Sequence, residues 1–414
     1  YTQPLSDYIL GARVSGHGHT TGRMQAELVA DLDHATMRWT VSGRTDMDTV
    51  ARQRRVTVWG NGVTTFTANK TLTFDQDGFV GGLASSSARS NNWPRCISAP
   101  PLVRRLAWRR GVARCEGNRI VARHAEPLLN DRLNQDAGAI IDSANAAYTE
   151  EFREPLMQAG AFPRQMDFST SNDQLNVVIL QAAEGQSGAP QPAPSFSLDH
   201  DIGIRMHETS FNNLAESLLA GRTLTDEEVR ANVAKFLTMA SLEQYSAELA
   251  DDEQPWSITF AQHSPITVTF DGGMYTLVIA GERWKSGRRS YRSKMNVTVG
   301  YRIDTSSGKV QLMRNGDVLI APPGFVRGKQ RLSPRTLSLR RMLQRKMNEL
   351  FPEVIDPEAI VVPGPWEKAG PLNVVRMAAD SGWLQMSWEM QSQRAREIAD
   401  DRGSVKVSVL EKLP

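Results

Sequence analysis

The sequence predicts an α+β protein of two pseudo-repeated modules, each a long helix wrapped by a curved antiparallel sheet. Three observations predict it. Residues 13–80 and 255–321 alternate apolar and polar positions with period two. Residues 101–160 and 333–350 instead carry apolar residues at steps of three and four. Between the halves, residues 184–197 are rich in Pro, Gly, Ser and Ala, the composition of a linker. The expected organisation is a module at 1–183, a linker at 184–197 and a module at 198–414, consistent with about 150 residues per domain.

In the first module, Arg38-Trp-Thr-Val-Ser, Arg55-Val-Thr-Val-Trp, Thr64-Thr-Phe-Thr-Ala and Lys70-Thr-Leu-Thr-Phe read as strands. Gly60-Asn-Gly and Asp75-Gln-Asp-Gly read as turns. The period changes at Pro101. Leu129, Leu133, Ala137, Ile140, Ala144, Tyr148 and Phe152 then form one apolar stripe on a long helix, which Gly160 and Pro163 end. A strand pair, 165–170 and 175–181, closes the module.

The second module opens with a strand at 201–206 and a helix at 210–220 containing Phe211 and Leu214. Thr225-Asp-Glu-Glu is a capping-box pattern that starts another helix. Strands follow at 256–260, 266–270, 274–280, 296–303 and 309–314, with turns at Asp271-Gly-Gly, Ser307-Gly and Asn315-Gly. Ser333-Pro-Arg begins a helix to about Leu350, with Leu337, Met342 or Leu343, Met347 and Leu350 on its apolar side. A hairpin at 372–378 and 383–390 ends the pattern. Each meander has one apolar face and each helix one apolar stripe. Wrapping a twisted sheet around its helix buries both.

Composition narrows the function classes. Lys+Arg 48 against Asp+Glu 46 leaves a net charge of +2, so no global field selects nucleic acid. No apolar run reaches the 18 residues of a membrane-spanning helix. The two cysteines, Cys96 and Cys115, admit either one bridge or two free buried thiols, and without a CxxC pair a structural zinc site is not expected. The start at Tyr1 and the strand-rich, Trp-containing composition lead to the expectation of an extracytoplasmic protein, periplasmic or secreted.

Catalytic signatures are missing. The sequence has no GxSxG, no Walker loop and no HExxH. His17 and His19 share one side of a strand, but no third ligand lies near them in sequence. Glu150-Glu, Asp226-Glu-Glu and Asp251-Asp-Glu read as solvated helix faces and ends. No cofactor or metal is expected. Three basic runs stand out: Arg95–Arg123, which includes Arg104, Arg105, Arg109 and Arg110 with Trp93 and Trp108 interleaved; Arg327–Lys346, which includes Arg340 and Arg341; and Arg283–Lys294. Arginine forks suit anionic groups, and tryptophan suits an interface.

A helix in a curved antiparallel sheet, twice in one chain, resembles the tubular lipid-binding superfamily, to which the bactericidal/permeability-increasing and lipid-transfer proteins belong. The local match is Asp201-Ile-Gly-Ile-Arg-Met-His-Glu-Thr-Ser-Phe-Asn-Asn-Leu-Ala-Glu-Ser-Leu-Leu-Ala-Gly, followed by Pro265-Ile-Thr-Val-Thr-Phe-Asp-Gly-Gly-Met-Tyr-Thr-Leu. In composition the chain also resembles secreted bacterial proteins of planctomycete type. The resemblance implies a non-catalytic binding protein for a hydrophobic or amphipathic ligand, with Leu133, Ile140, Ala144, Tyr148, Phe211 and Leu214 lining the groove. Arg104, Arg105, Arg109, Arg110, Arg340 and Arg341 would meet anionic head groups of a membrane or envelope surface. The competing expectation is an envelope or protein-interaction module whose sheets pack solidly and whose edges bind a partner.

Overall fold

Threonine and glycine alternating with apolar residues produce strands far longer than the usual five or six residues. The computed structural model describes residues 2–101, 104, 112–195, 200–231, 255–306, 308–326, 328–357, 359–360 and 370–390. Within these, the chain divides into unit 1, residues 2–154 and 166–178, and unit 2, residues 155–165 and 179–390.

Unit 1 begins with strands β1 (Thr2–Ile9), β2 (Ala12–Leu28), β3 (Ala35–Gln53) and β4 (Val56–Asp75), joined as an antiparallel meander. The short β5 (Gly78–Gly81) and the long β6 (Ser85–Ser98) both pair with β4, at different points along it. β3 and β4 stay in register from Ala35↔Phe74 to Gln53↔Val56, about 60 Å of ladder. The sheet curls into a half-barrel. Gly60-Asn-Gly, expected as a turn, lies inside β4 beside a bulge at Trp59/Gly60. Its glycines serve the curl instead. β6 was not anticipated at all, because Ser and Asn dominate its sequence.

Helix α1 (Val112–Ala147) runs on through a π-helical turn, Tyr148–Arg153, into α2 (Glu154–Gln158). Its polar side meets the sheet edge. Asn118 Oδ1 accepts from the Asn92 amide, Glu126 Oε1 from Ala88, Asn134 Oδ1 from Ala84 and Asn145 Oδ1 from Phe79, at 2.7–3.1 Å. Asn145 Nδ2 also donates to the Phe79 carbonyl. These side chains act as a substitute strand along β5 and β6. Lys70, buried, donates to Asn134 Oδ1 and Gly82 O, each at 2.7 Å. The hairpin β7 (Gln165–Thr170) and β8 (Leu175–Leu180) follows, with Thr170 bridged to Asp31. The Thr36 hydroxyl, then the Asp33 amide, hold the Asp31 carboxyl below the usual carboxylate range.

Unit 2 opens with β9 (Ile202–His207) and α3 (Glu208–Leu219). His207 caps α3 by accepting from the Thr209 amide, and Glu208 accepts from the Phe270 amide. After β10 (Thr223–Thr225) the capping box forms as expected, with Thr225 N donating to Glu228 Oε2 and Glu228 N to Thr225 Oγ1. Strands β11 (Trp256–Phe260), β12 (Ile266–Asp271), β13 (Met274–Ser286), β14 (Arg289–Tyr291), β15 (Met295–Asp304), β16 (Gln311–Arg314) and β17 (Leu319–Ala321) make an antiparallel sheet with β10. The next elements are helix α4 (Pro334–Leu350), β18 (Val354–Ile355), which joins this sheet, and the hairpin β19 (Leu372–Asp380) and β20 (Trp383–Met390), on which β9 pairs.

Leu339, Leu343 and Met347 of α4 sink into a core with Trp284, Val297, Val299, Tyr301 and Ile320. Leu337, expected in that stripe, is 38% exposed. The spacing i, i+4, i+8 from Leu339 is the seam that packs. The expectation of two pseudo-repeated modules, each with a long helix, is not confirmed: α1 has 36 residues and α4 has 17. Residues 181–195 are irregular. Asn213 nevertheless anchors their start by donating to Gln181 O and Ser187 O.

Candidate functional site

The inner face of the unit 1 sheet can be read across its registers. One row is Val14, Ala51, Val58 and Ile97; the next is Gly16, Thr49, Gly60 and Pro94; then Gly18, Met47, Gly62 and Asn92; then Thr20, Thr45, Thr64 and Ser90; then Gly22, Gly43, Phe66 and Ala88. Six of these inward positions are glycine. A Cβ at 43 would meet Phe66 Cζ at 2.5 Å, and at 60 the Trp93 carbonyl at 2.9 Å; at 62 it would overlap Asn92 Oδ1. Glycine lets the strands coil tightly and leaves the hollow side unfilled.

The result is a cavity of about 2070 Å³ between the sheet and α1, lined mainly by apolar side chains. Its closed side is the α1 seam, where Ala122, Ala125 and Leu129 pack on Phe66, Ala88 and Val41. Across the cavity, β1 reaches α1 through His124 Nδ1, 2.8 Å from an Asp7 carboxylate oxygen. At one end the lining extends to Leu10, Gln53 and Ile97. It stops short of the aromatic group at the other end, where Phe74 stacks on Phe79 at 4.2 Å and meets Phe168 and Tyr148 edge-on. Burial pushes the Tyr148 phenol up, and its hydroxyl donates to Gln76 O.

The open end carries charge and exposed apolar bulk. Arg13 lies opposite Arg52 in register, with Arg54 and Arg55 in the β3–β4 turn, Arg95 within β6 and Arg104 just beyond it in sequence. Among the described residues none of these six forms an ion pair. Tyr8, Leu10, Trp59 and Trp93 are 67, 47, 41 and 40% exposed. Leu10 has φ +50°, a left-handed conformation unusual for a branched side chain.

Of the anticipated lining residues, Leu133 and Ile140 face the cavity. Ala144 and Tyr148 lie further along α1, toward the aromatic end, and are not part of the lining. Phe211 and Leu214 belong to unit 2, on α3, where Phe211 meets Phe270 edge-on at 5.8 Å. Arg104 is exposed; Arg340 is half-buried and Arg341 exposed on α4. Arg105, Arg109, Arg110, Trp108 and Arg327 lie outside the described residues, as does Asp251-Asp-Glu. Sequence reasoning missed the glycine rows and the Arg52-Gln-Arg-Arg55 turn. Glycines at i and i+2 inside a strand pattern were the available signal.

Cys96 and Cys115 are free, as one of the two expectations had it, but exposed and not buried. His17 and His19 lie exposed on the outer face, and His19 Nδ1 bonds Thr2 Oγ1. Among the described residues no group of three or more His, Cys, Asp or Glu could hold a metal. No helix there is long and apolar enough to cross a membrane.

The class defined by fold and site is a helix-backed antiparallel half-barrel with a hollow apolar interior. No family model and no curated protein matches the chain. Among solved structures it is similar to a lipopolysaccharide binding protein, at 12% identity and a TM-score of 0.30, over 95% of this chain and 92% of that one. It is also similar to P47 of Clostridium botulinum E1, at 9% identity and a TM-score of 0.24, over 94% and 93% of the two chains. Overlap at this level says nothing about what the cavity holds.

Proposed function

We propose that unit 1 binds a hydrophobic or amphipathic, lipid-like ligand without catalysis. The carrying observation is the apolar cavity of about 2070 Å³ in a unit whose own buried core is small. A pocket this large and this apolar exceeds the usual small-molecule range of about 300–1,000 Å³ and suits a long or branched apolar body. The arginines and aromatic residues at the open end would receive the anionic groups of such a ligand or of the surface it leaves. An extracytoplasmic location fits that role and belongs to the same proposal.

Native mass spectrometry of gently purified protein tests retention, and titration with a fluorescent fatty acid tests uptake. Ala51, half-buried on the lining, is the position to block. Ala51→Trp is expected to weaken uptake on the order of tenfold or more by occupying contact volume, with the circular dichroism spectrum unchanged. Undiminished uptake by this variant, or wild-type protein that retains and takes up no lipid, overturns the reading.

A further inference from the structure

We infer that the cavity is built for an apolar body carrying an uncharged hydrogen-bond donor, a hydroxyl or an amide N–H, part-way along its length. This rests on the proposal that unit 1 binds a lipid-like ligand. The observation is a polar row crossing an apolar wall. Thr20, Thr45 and Thr64 line the cavity side by side on three neighbouring strands, and Ser90 continues their row in register on β6. Thr20 and Thr45 share a hydrogen bond of 2.9 Å, and Thr64 donates to Ser90 Oγ at 3.0 Å. Valine would serve the same strands and volumes, because it has nearly the shape of threonine and also favours strands. Rows two strand positions away on one side hold Gly22, Gly43, Phe66 and Ala88. The row lies about 26 Å of strand from the Gln53 end, well inside the wall.

Asn92 completes the site. Its Nδ2 donates to Ser90 Oγ and to Asn118 Oδ1, both at 3.0 Å, so both amide protons are used. This fixes which way the carboxamide points. Its Oδ1 lies over Gly62, where only the missing Cβ makes room for it, and no described donor reaches it. Ser90 Oγ already accepts twice, from Thr64 and Asn92. Beside the row the cavity thus presents an amide acceptor, Asn92 Oδ1, next to the Thr45, Thr64 and Ser90 hydroxyls. An ether oxygen can use the hydroxyls but offers Asn92 nothing. A hydroxyl or amide satisfies both partners.

The test is competition against a fluorescent fatty acid on the full chain, with octadecanoic acid, its mid-chain hydroxylated form and the matching methyl ether. The hydroxylated acid is expected to bind about fivefold tighter than its parent, the worth of one well-made hydrogen bond, and the methyl ether no tighter than the parent. In Thr45→Val and Asn92→Leu that advantage should vanish or reverse, since an unpartnered hydroxyl then loses its water for nothing. The comparison of ligands on the wild-type chain stands even where a variant folds poorly. Equal affinity for parent and hydroxylated acid overturns this inference alone. An advantage undiminished in both folded variants does the same. No binding of any of the acids overturns the proposed function and this inference with it.

Discussion

Glycine decides the hollow. Six inward glycines in three adjacent strands replace side chains that would otherwise fill the curl, and at Gly43 the space is taken by the Phe66 ring and the Thr21 carbonyl. Gly43→Val would drive a branched side chain into the Phe66 ring and the Thr21 carbonyl. It is expected to destabilise unit 1 by about 1–3 kcal/mol, read as an earlier midpoint in urea with the slope unchanged. Gly138 is the counter-example. It sits within α1 with open space around the would-be Cβ, and its backbone is helical. Gly138→Ala is expected to stabilise by about 1 kcal/mol, the helix-propensity difference. Equal effects of the two substitutions would show that glycine plays no special part in the curl. Sequence reading saw Gly60-Asn-Gly and took it for a turn. Turn chemistry and strand coiling both call for a residue without a Cβ, and a local pattern cannot separate them. The period-two alternation around it, which does persist from Val58 through Leu72, was the better guide.

Elements show a similar division. The hairpins at Asp271-Gly-Gly and Asp380-Ser-Gly, the capping box at Thr225 and the Ser333-Pro cap were legible because each is a local contract between neighbouring residues, whereas the β3–β4 hairpin was not. Helix α1 was legible as a helix, yet its second face was not. A stripe of apolar residues was read as the side that meets the sheet. The structure shows a helix with two working faces: apolar residues at Leu133 and Ile140 toward the cavity, and Asn118, Glu126, Asn134 and Asn145 toward the strand edge. Polar residues spaced at eight and eleven satisfy an edge that no strand covers, a long-range need with no local signature. Asn145→Leu keeps the size of the side chain but leaves the Phe79 N–H and C=O without their partner. The expected cost is about 1–3 kcal/mol. Hydrogen exchange should show the Phe79 amide losing protection while amides of the β3–β4 ladder keep theirs. Protection lost evenly across the sheet would instead mean that α1 is held by its apolar face.

At the scale of the whole molecule, the two units stabilise themselves by different means. Unit 2 fills its interior: Met295, Val297, Tyr301, Ile320, Leu339 and Leu343 are almost wholly excluded from solvent. Unit 1 spends its sheet on a cavity, and among the described residues its buried apolar side chains are fewer and mostly smaller: Phe66, Ala88 and Ala122 in one cluster, with Met47, Leu72 and Phe168 elsewhere. Stability follows apolar area removed from water, so unit 1 is the weaker of the two when empty. Two calorimetric transitions are therefore expected, the lower one from unit 1. A ligand held in the cavity binds only the folded form of that unit and adds about 2.7 kcal/mol at a hundredfold excess over its dissociation constant. Lipid should accordingly raise the lower transition toward the upper one and leave the upper one in place, and Ala51→Trp should abolish that shift. A lipid-induced rise confined to the upper transition would move the binding site to unit 2, where the packed face of α4 offers no comparable room.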